Sequence, residues 1–109
     1  MSLGITDMLR LAGQMGKIKE QMAAAQERAA RRTVHAEVGG GMVKVTAVAT
    51  GEIVDVQIDP EALKDPETIG PLVAAGTNLA LKKAREAMQE EMKTALGGID
   101  LPPGLLGTM

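Results

Sequence analysis

With 109 residues, no cysteine, no aromatic side chain and a net charge of −2, the chain reads as one small domain whose core has to be built from Val, Ile, Leu, Met and Ala. The missing cysteines exclude a disulfide framework, thiolate zinc sites and a cysteine nucleophile together, and the missing rings argue against a platform for stacking single-stranded nucleic acid. No apolar run approaches the 18 or so residues of a membrane span, and no charged-then-apolar leader opens the chain, so a soluble, cytoplasmic protein without a membrane partner is expected, with a core thin enough to favour self-association.

The spacing predicts a first long helix over about 5–32, with Thr6 or Asp7 as its cap. Met8, Leu11, Met15, Ile18, Met22, Ala25 and Ala29 recur at alternating intervals of three and four, which is a heptad seam. Gly13 and Gly16 fall on the outer face of that register, where each costs about 1 kcal/mol relative to Ala. A break at Gly13-Gln14-Met15-Gly16 that folds the helix back is the alternative to a continuous rod. A continuous helix of this length extends roughly 40 Å, whereas a compact domain of about 100 residues has a radius of gyration near 13 Å. Its own domain cannot cover it. The seam residues Met8, Leu11, Met15, Ile18 and Met22 are therefore expected to face a second copy of the chain.

Three strands follow, over about 33–38, 42–50 and 53–58. Val34, Ala36 and Val38 alternate with Thr33, His35 and Glu37; Val43, Val45, Ala47 and Ala49 share a face opposite Lys44, Thr46 and Thr50; Val54, Val56 and Ile58 oppose Asp55 and Gln57. With glycine turns at Gly39-Gly40-Gly41 and at Gly51-Glu52, this is a three-stranded antiparallel meander with one apolar face. Ala62 and Leu63 make a single helical turn. Asp65-Pro66 then starts a second long helix over about 66–96, with Asp as N-cap and Pro at the first position. Its apolar stripe covers the sheet, and Gly76 permits a close approach. Gly97-Gly98 ends this helix, and 97–109 is a Pro/Gly-rich tail.

Gly39, Gly41, Val43 and Val45, then Gly51, then Ile58-Asp59-Pro60, form a Gly-x-Gly-x-Val-x-Val hairpin that closes on Ile-Asp-Pro. With Leu72, Val73, Ala74, Ala75, Asn78 and Ala80 in the second helix and Leu101-Pro102-Pro103-Gly104 in the tail, this combination resembles the YbaB/EbfC family of bacterial nucleoid-associated proteins over nearly the whole chain. The resemblance implies an α+β, α-β-β-β-α protomer in a tweezer-like homodimer, binding of duplex DNA in nucleoid organisation or gene expression, and no enzymatic activity. The chain departs from common members through Gly13, Gly16 and the Ala23–Ala25 run in its first helix.

Charge is unevenly placed. Residues 1–32 hold six basic and three acidic side chains, residues 33–65 two and six. Arg10, Lys17 and Arg31 share one heptad position, with Lys19 and Arg28 beside the seam; with Lys93 late in the second helix they are the candidate phosphate contacts. The bland reading of the same residues is a solvated helix face. Lys82 and Glu86, and Lys93 and Glu90, have the spacing of surface ion pairs. Contacts of this kind touch backbone, so low sequence specificity is expected. The alternative is a homodimeric adapter for DNA repair or replication factors, its heptad methionines serving as an adaptable groove. His35 and Glu37 share a strand face, yet two ligands without a third make a poor metal site. Gly39-Gly40-Gly41 lacks the Lys-Ser/Thr and following helix of a phosphate loop, so no cofactor is expected.

Overall fold

The computed structural model describes residues 4–97; the tail expected beyond Gly97 lies outside the described residues. Helix α1 (Ile5–Arg31), strands β1 (Thr33–Val38), β2 (Val43–Val48) and β3 (Glu52–Ile58), a 3-10 turn (Pro60–Lys64) and helix α2 (Pro66–Leu96) follow in that order. This is the expected α+β, α-β-β-β-α order, and the sheet is a β1-β2-β3 antiparallel meander. The molecule measures 71 × 23 × 16 Å with a radius of gyration of 20.4 Å, well above the roughly 13 Å of a compact chain of this size. Helix α1 is the cause. It runs unbroken through Gly13 and Gly16, neither of which has any atom within 4 Å of the place its Cβ would take, so the fold-back alternative is not realised.

Gly4, not Thr6 or Asp7, precedes the first turn of α1, and no side chain caps it. Asp65 does stand at the start of α2 with Pro66 behind it, but its carboxylate accepts from the Thr68 hydroxyl (2.6 Å) in place of a backbone N–H. Pro71 lies inside α2, and Gly70 before it removes the Cβ that a proline would crowd.

The sheet packs one face against α2. Ala36, Val43, Val45 and Ala47 from the strands meet Ala80 and Ala84 from the helix, and a second cluster joins Ala29, Ala49 and Ala87. Val43 and Val45 are the largest fully buried side chains, so the core is as thin as the composition requires. At Gly76 a Cβ would come within 2.9 Å of Val45 Cγ2; the absent methyl is what lets α2 sit this close to the sheet. Gly39, Gly40 and Gly41 take φ values of +63°, +67° and +91°, a run of left-handed backbone that only glycine adopts freely, and they turn β1 into β2.

The register corrects one expectation. Val45 pairs with Val56 and Val43 with Ile58, but a bulge between Thr46 and Ala47 sets Ile53, not Val54, beside Ala47. Ile53 therefore joins the core, and Val54 stands 53 % exposed. A bulge adds one residue to one strand and so reverses the alternation beyond it. Strict period-two reading along β3 places Val54 on the wrong face.

Candidate nucleic-acid interface

The elements around the sheet aim α1 away from it. The end of α1 lies antiparallel to α2: Arg28 Nε donates to Glu91 Oε2 (2.8 Å), while Ala29 packs with Ala87. Each step back along α1 is a step forward along α2, which brings Leu96 level with about residues 21–24 of α1. The small residues Ala25 and Ala29, fully buried, allow that contact. From about Glu20 back to Ile5, α1 has no helix alongside it among the described residues and projects roughly 24 Å as an arm.

Of the seam residues, Met8, Leu11 and Met15 are exposed on the arm, Met15 by 69 %, while Ile18 and Met22 are half-buried near its base. The base of the seam is occupied within the same chain, and its outer half is open.

Arg10 and Lys17 are exposed on the arm and have no ion-pair partner among the described residues. Seven residues on a helix separate them by about 20° around the axis and about 10 Å along it, a single row. Lys19 is also exposed and unpaired among the described residues, but it faces roughly 160° away from Lys17, across the apolar stripe. Arg31 meets Glu27 at 3.7 Å with both side chains 72 % exposed; such a contact contributes little and leaves the guanidinium available. Lys93 is exposed near the end of α2, and no salt bridge within the described residues includes it.

Arg28 lies in line with Arg10 around the helix but is engaged. Its partner Glu91 is 16 % exposed at the side chain and also accepts from Arg32 Nη1 (3.2 Å). The Arg28 hydrogen bond, with a smaller contribution from Arg32, holds the Glu91 carboxyl below the usual carboxylate range against the opposing effect of burial. Arg32 further donates to Glu90 (2.6 Å) and to the Ala87 carbonyl (3.4 Å), and the Glu90 bond is the main cause of its raised pKa. This clasp was not legible in the sequence. Glu90 bonds Arg32, not Lys93, and Lys82 and Glu86 form no ion pair, so local spacing gave the wrong partners. The signal available was the Glu90-Glu91 doublet, two adjacent acids late in α2 with Lys93 as the one basic residue after them in that helix. Lys83 is also committed, donating to the His35 carbonyl at 2.7 Å.

The outer face of the sheet is different in kind. His35, Glu37, Lys44, Thr46, Asp55 and Gln57 line a shallow hollow of about 230 Å³. His35 Nδ1 lies 3.1 Å from the Thr46 hydroxyl, and Lys44 faces Glu37 at 3.8 Å. Mixed charge of this kind does not attract a polyanion. No group of three or more metal-ligating side chains occurs among the described residues, and no described helix is long and apolar enough to cross a membrane.

The fold is thus α-β-β-β-α, with Arg10 and Lys17 in one row on a projecting helix and without an ion-pair partner among the described residues. Residues 4–99 match the model of the YbaB/EbfC DNA-binding family. The chain belongs to that family, which is one of DNA binding and not of catalysis. It is 38 % identical to a nucleoid-associated protein of Acinetobacter baumannii over 107 residues, covering 96 % of this chain and 98 % of the relative. A nucleoid-associated protein of Moorella thermoacetica is 40 % identical over 102 residues, covering 92 % and 98 %. The crystal structure of an uncharacterized protein from Helicobacter pylori superposes with a TM-score of 0.73 at 26 % identity, covering 88 % of this chain and 100 % of that one.

Proposed function

We propose that the protein is a homodimeric, nucleoid-associated protein of the cytoplasm that grips duplex DNA by its backbone, in nucleoid organisation or gene regulation. The observation that carries this reading is the row formed by Arg10 and Lys17 on the free arm of α1. Two cations about 10 Å apart along one helix face can meet neighbouring phosphates of one strand. Lys19, Arg31 and Lys93 extend the contact surface; Arg28 ranks below them because Glu91 holds it. Backbone contacts position a protein without reading bases, so sequence specificity is low. The names of the relatives support the nucleoid as the setting.

The second copy joins through the open half of the seam, Met8, Leu11 and Met15, with Ile18 and Met22 at its inner margin. An arm with three exposed large apolar residues on one stripe favours a covering partner of like shape. The same exposed methionines favour a second reading, in which the stripe docks a factor of DNA repair or replication and DNA affinity is incidental. A gel shift of duplex DNA across a salt series, beside Arg10→Glu/Lys17→Glu, separates the two. Loss of the shift with unchanged molecular mass supports direct DNA binding; a shift that survives charge reversal contradicts it.

A further inference from the structure

The face of α1 that carries Arg10 and Lys17 is longer than the arm. At about 100° of turn per residue, Arg10, Gln14, Lys17, Gln21, Ala24 and Arg28 all lie within about 40° of Arg10, and this strip contains no acid. Asp7, Glu20 and Glu27 stand about 60° or more to its sides. Arg28 is in line with Arg10, five turns and about 27 Å further in. It is the third cation of the row, and its side chain keeps 39 % exposure, so it is open to an approaching anion. A carboxylate from another helix already holds it.

That carboxylate uses both of its oxygens. Glu91 Oε2 accepts from Arg28 Nε at 2.8 Å and Oε1 from Arg32 Nη1 at 3.2 Å. A phosphate would bridge two guanidinium groups in the same way. The hold on α1 does not depend on Arg28 alone, because Arg32 also bonds Glu90 at 2.6 Å and the Ala87 carbonyl at 3.4 Å. Burial of Glu91 is outweighed by its two arginines, which hold its carboxyl below the usual range, so it is ionised at neutral pH.

The geometry points to Glu91 as an intramolecular stand-in for phosphate, which occupies the inner subsite of the DNA-contact row at Arg28 and limits that row to its outer cations. This inference rests on the proposed binding of duplex DNA along the arm. A phosphate that took Arg28 would come to lie beside the Glu91 carboxylate, which is 16 % exposed at the side chain and would be left to Arg32. Setting a like charge against a ligand is a means by which a binding surface turns it away. Neutralising Glu91 therefore lengthens the row inward to Arg28.

The test is the salt dependence of duplex DNA affinity for wild type, Glu91→Gln, Arg28→Ala/Glu91→Gln and the charge-matched control Glu90→Gln. One added phosphate contact steepens the slope of log affinity against log salt by about 0.9 for each arm engaged. Glu91→Gln is expected to show that increase, the double variant to return to the wild-type slope, and Glu90→Gln to keep it, since Arg28 is still held. An equal increase in Glu90→Gln, or an increase that survives Arg28→Ala, overturns the subsite by reducing the effect to net charge. A second measurement needs no variant to fold: NMR of the arginine Nε groups of the wild type during titration with duplex DNA. The Arg10 signal is expected to move and the Arg28 signal to stay. Movement of Arg28 together with Arg10 overturns the masking by Glu91 and leaves the arm as the DNA contact, whereas an unmoved Arg10 overturns the arm reading and the masking with it.

Discussion

Gly76→Ala places a methyl group in the tightest seat of the fold. Its Cβ would lie 2.9 Å from Val45 Cγ2, 3.3 Å from Val38 Cγ2 and 3.6 Å from Val43 Cγ1. Val43 and Val45 are buried on the central strand, and β-branched side chains have little rotamer freedom with which to retreat. Overpacking of this kind costs about 1–3 kcal/mol, while Ala in place of Gly returns about 1 kcal/mol of helix propensity. The net effect is a loss of up to about 2 kcal/mol. Gly16→Ala supplies the control, because nothing lies within 4 Å of its Cβ and only the propensity gain of about 1 kcal/mol applies. Subtracting one variant from the other leaves the steric cost alone, about 1–3 kcal/mol. Urea unfolding followed by far-UV circular dichroism measures both; the chain has no Trp or Tyr for fluorescence. Equal stability of the two variants would refute the close seating of α2 on the sheet.

Other outcomes follow from the clasp between the helices. Because the Glu91 carboxyl is held below its ordinary range in the fold, its stabilising contribution is present above that range and is lost as pH falls through the depressed value. Wild-type stability is therefore expected to decline on acidification below about 4.5, and Glu91→Gln to flatten that decline, as read from urea midpoints across pH. Arg28→Ala removes the principal partner of Glu91 and is expected to lower the thermal midpoint while leaving the salt dependence of DNA binding close to wild type; a large change in that dependence would make Arg28 a phosphate contact after all.

Alternation and glycine placement were enough to read the meander, since Val43, Val45 and Ala47 all face the core and Gly39 to Gly41 all require left-handed backbone. The heptad stripe of α1 was equally visible, but its division was not. Ala25 and Ala29 are consumed by α2 while Met8 and Met15 are open, a difference set by where α2 ends and not by the stripe itself. The bulge at Val54 was hidden because one inserted residue leaves no mark in a run of alternating valines. The clasp was hidden because Arg28 and Arg32 find their partners 58 to 63 residues away, beyond any local spacing rule. Arg10 and Lys17 stand out in the sequence by their shared heptad position, and in the fold neither has an ion-pair partner among the described residues.

The salt dependence of duplex DNA affinity, measured for wild type and for Arg10→Ala/Lys17→Ala, tests this account most directly. Each phosphate contact contributes about 0.9 to the slope of log affinity against log salt. Removing two cations from each of two arms deletes up to four contacts, so the slope is expected to become shallower by about 3–4, with little dependence on DNA sequence. An affinity that barely responds to salt, or a slope that the substitutions leave unchanged, would contradict DNA binding through the projecting arm of α1.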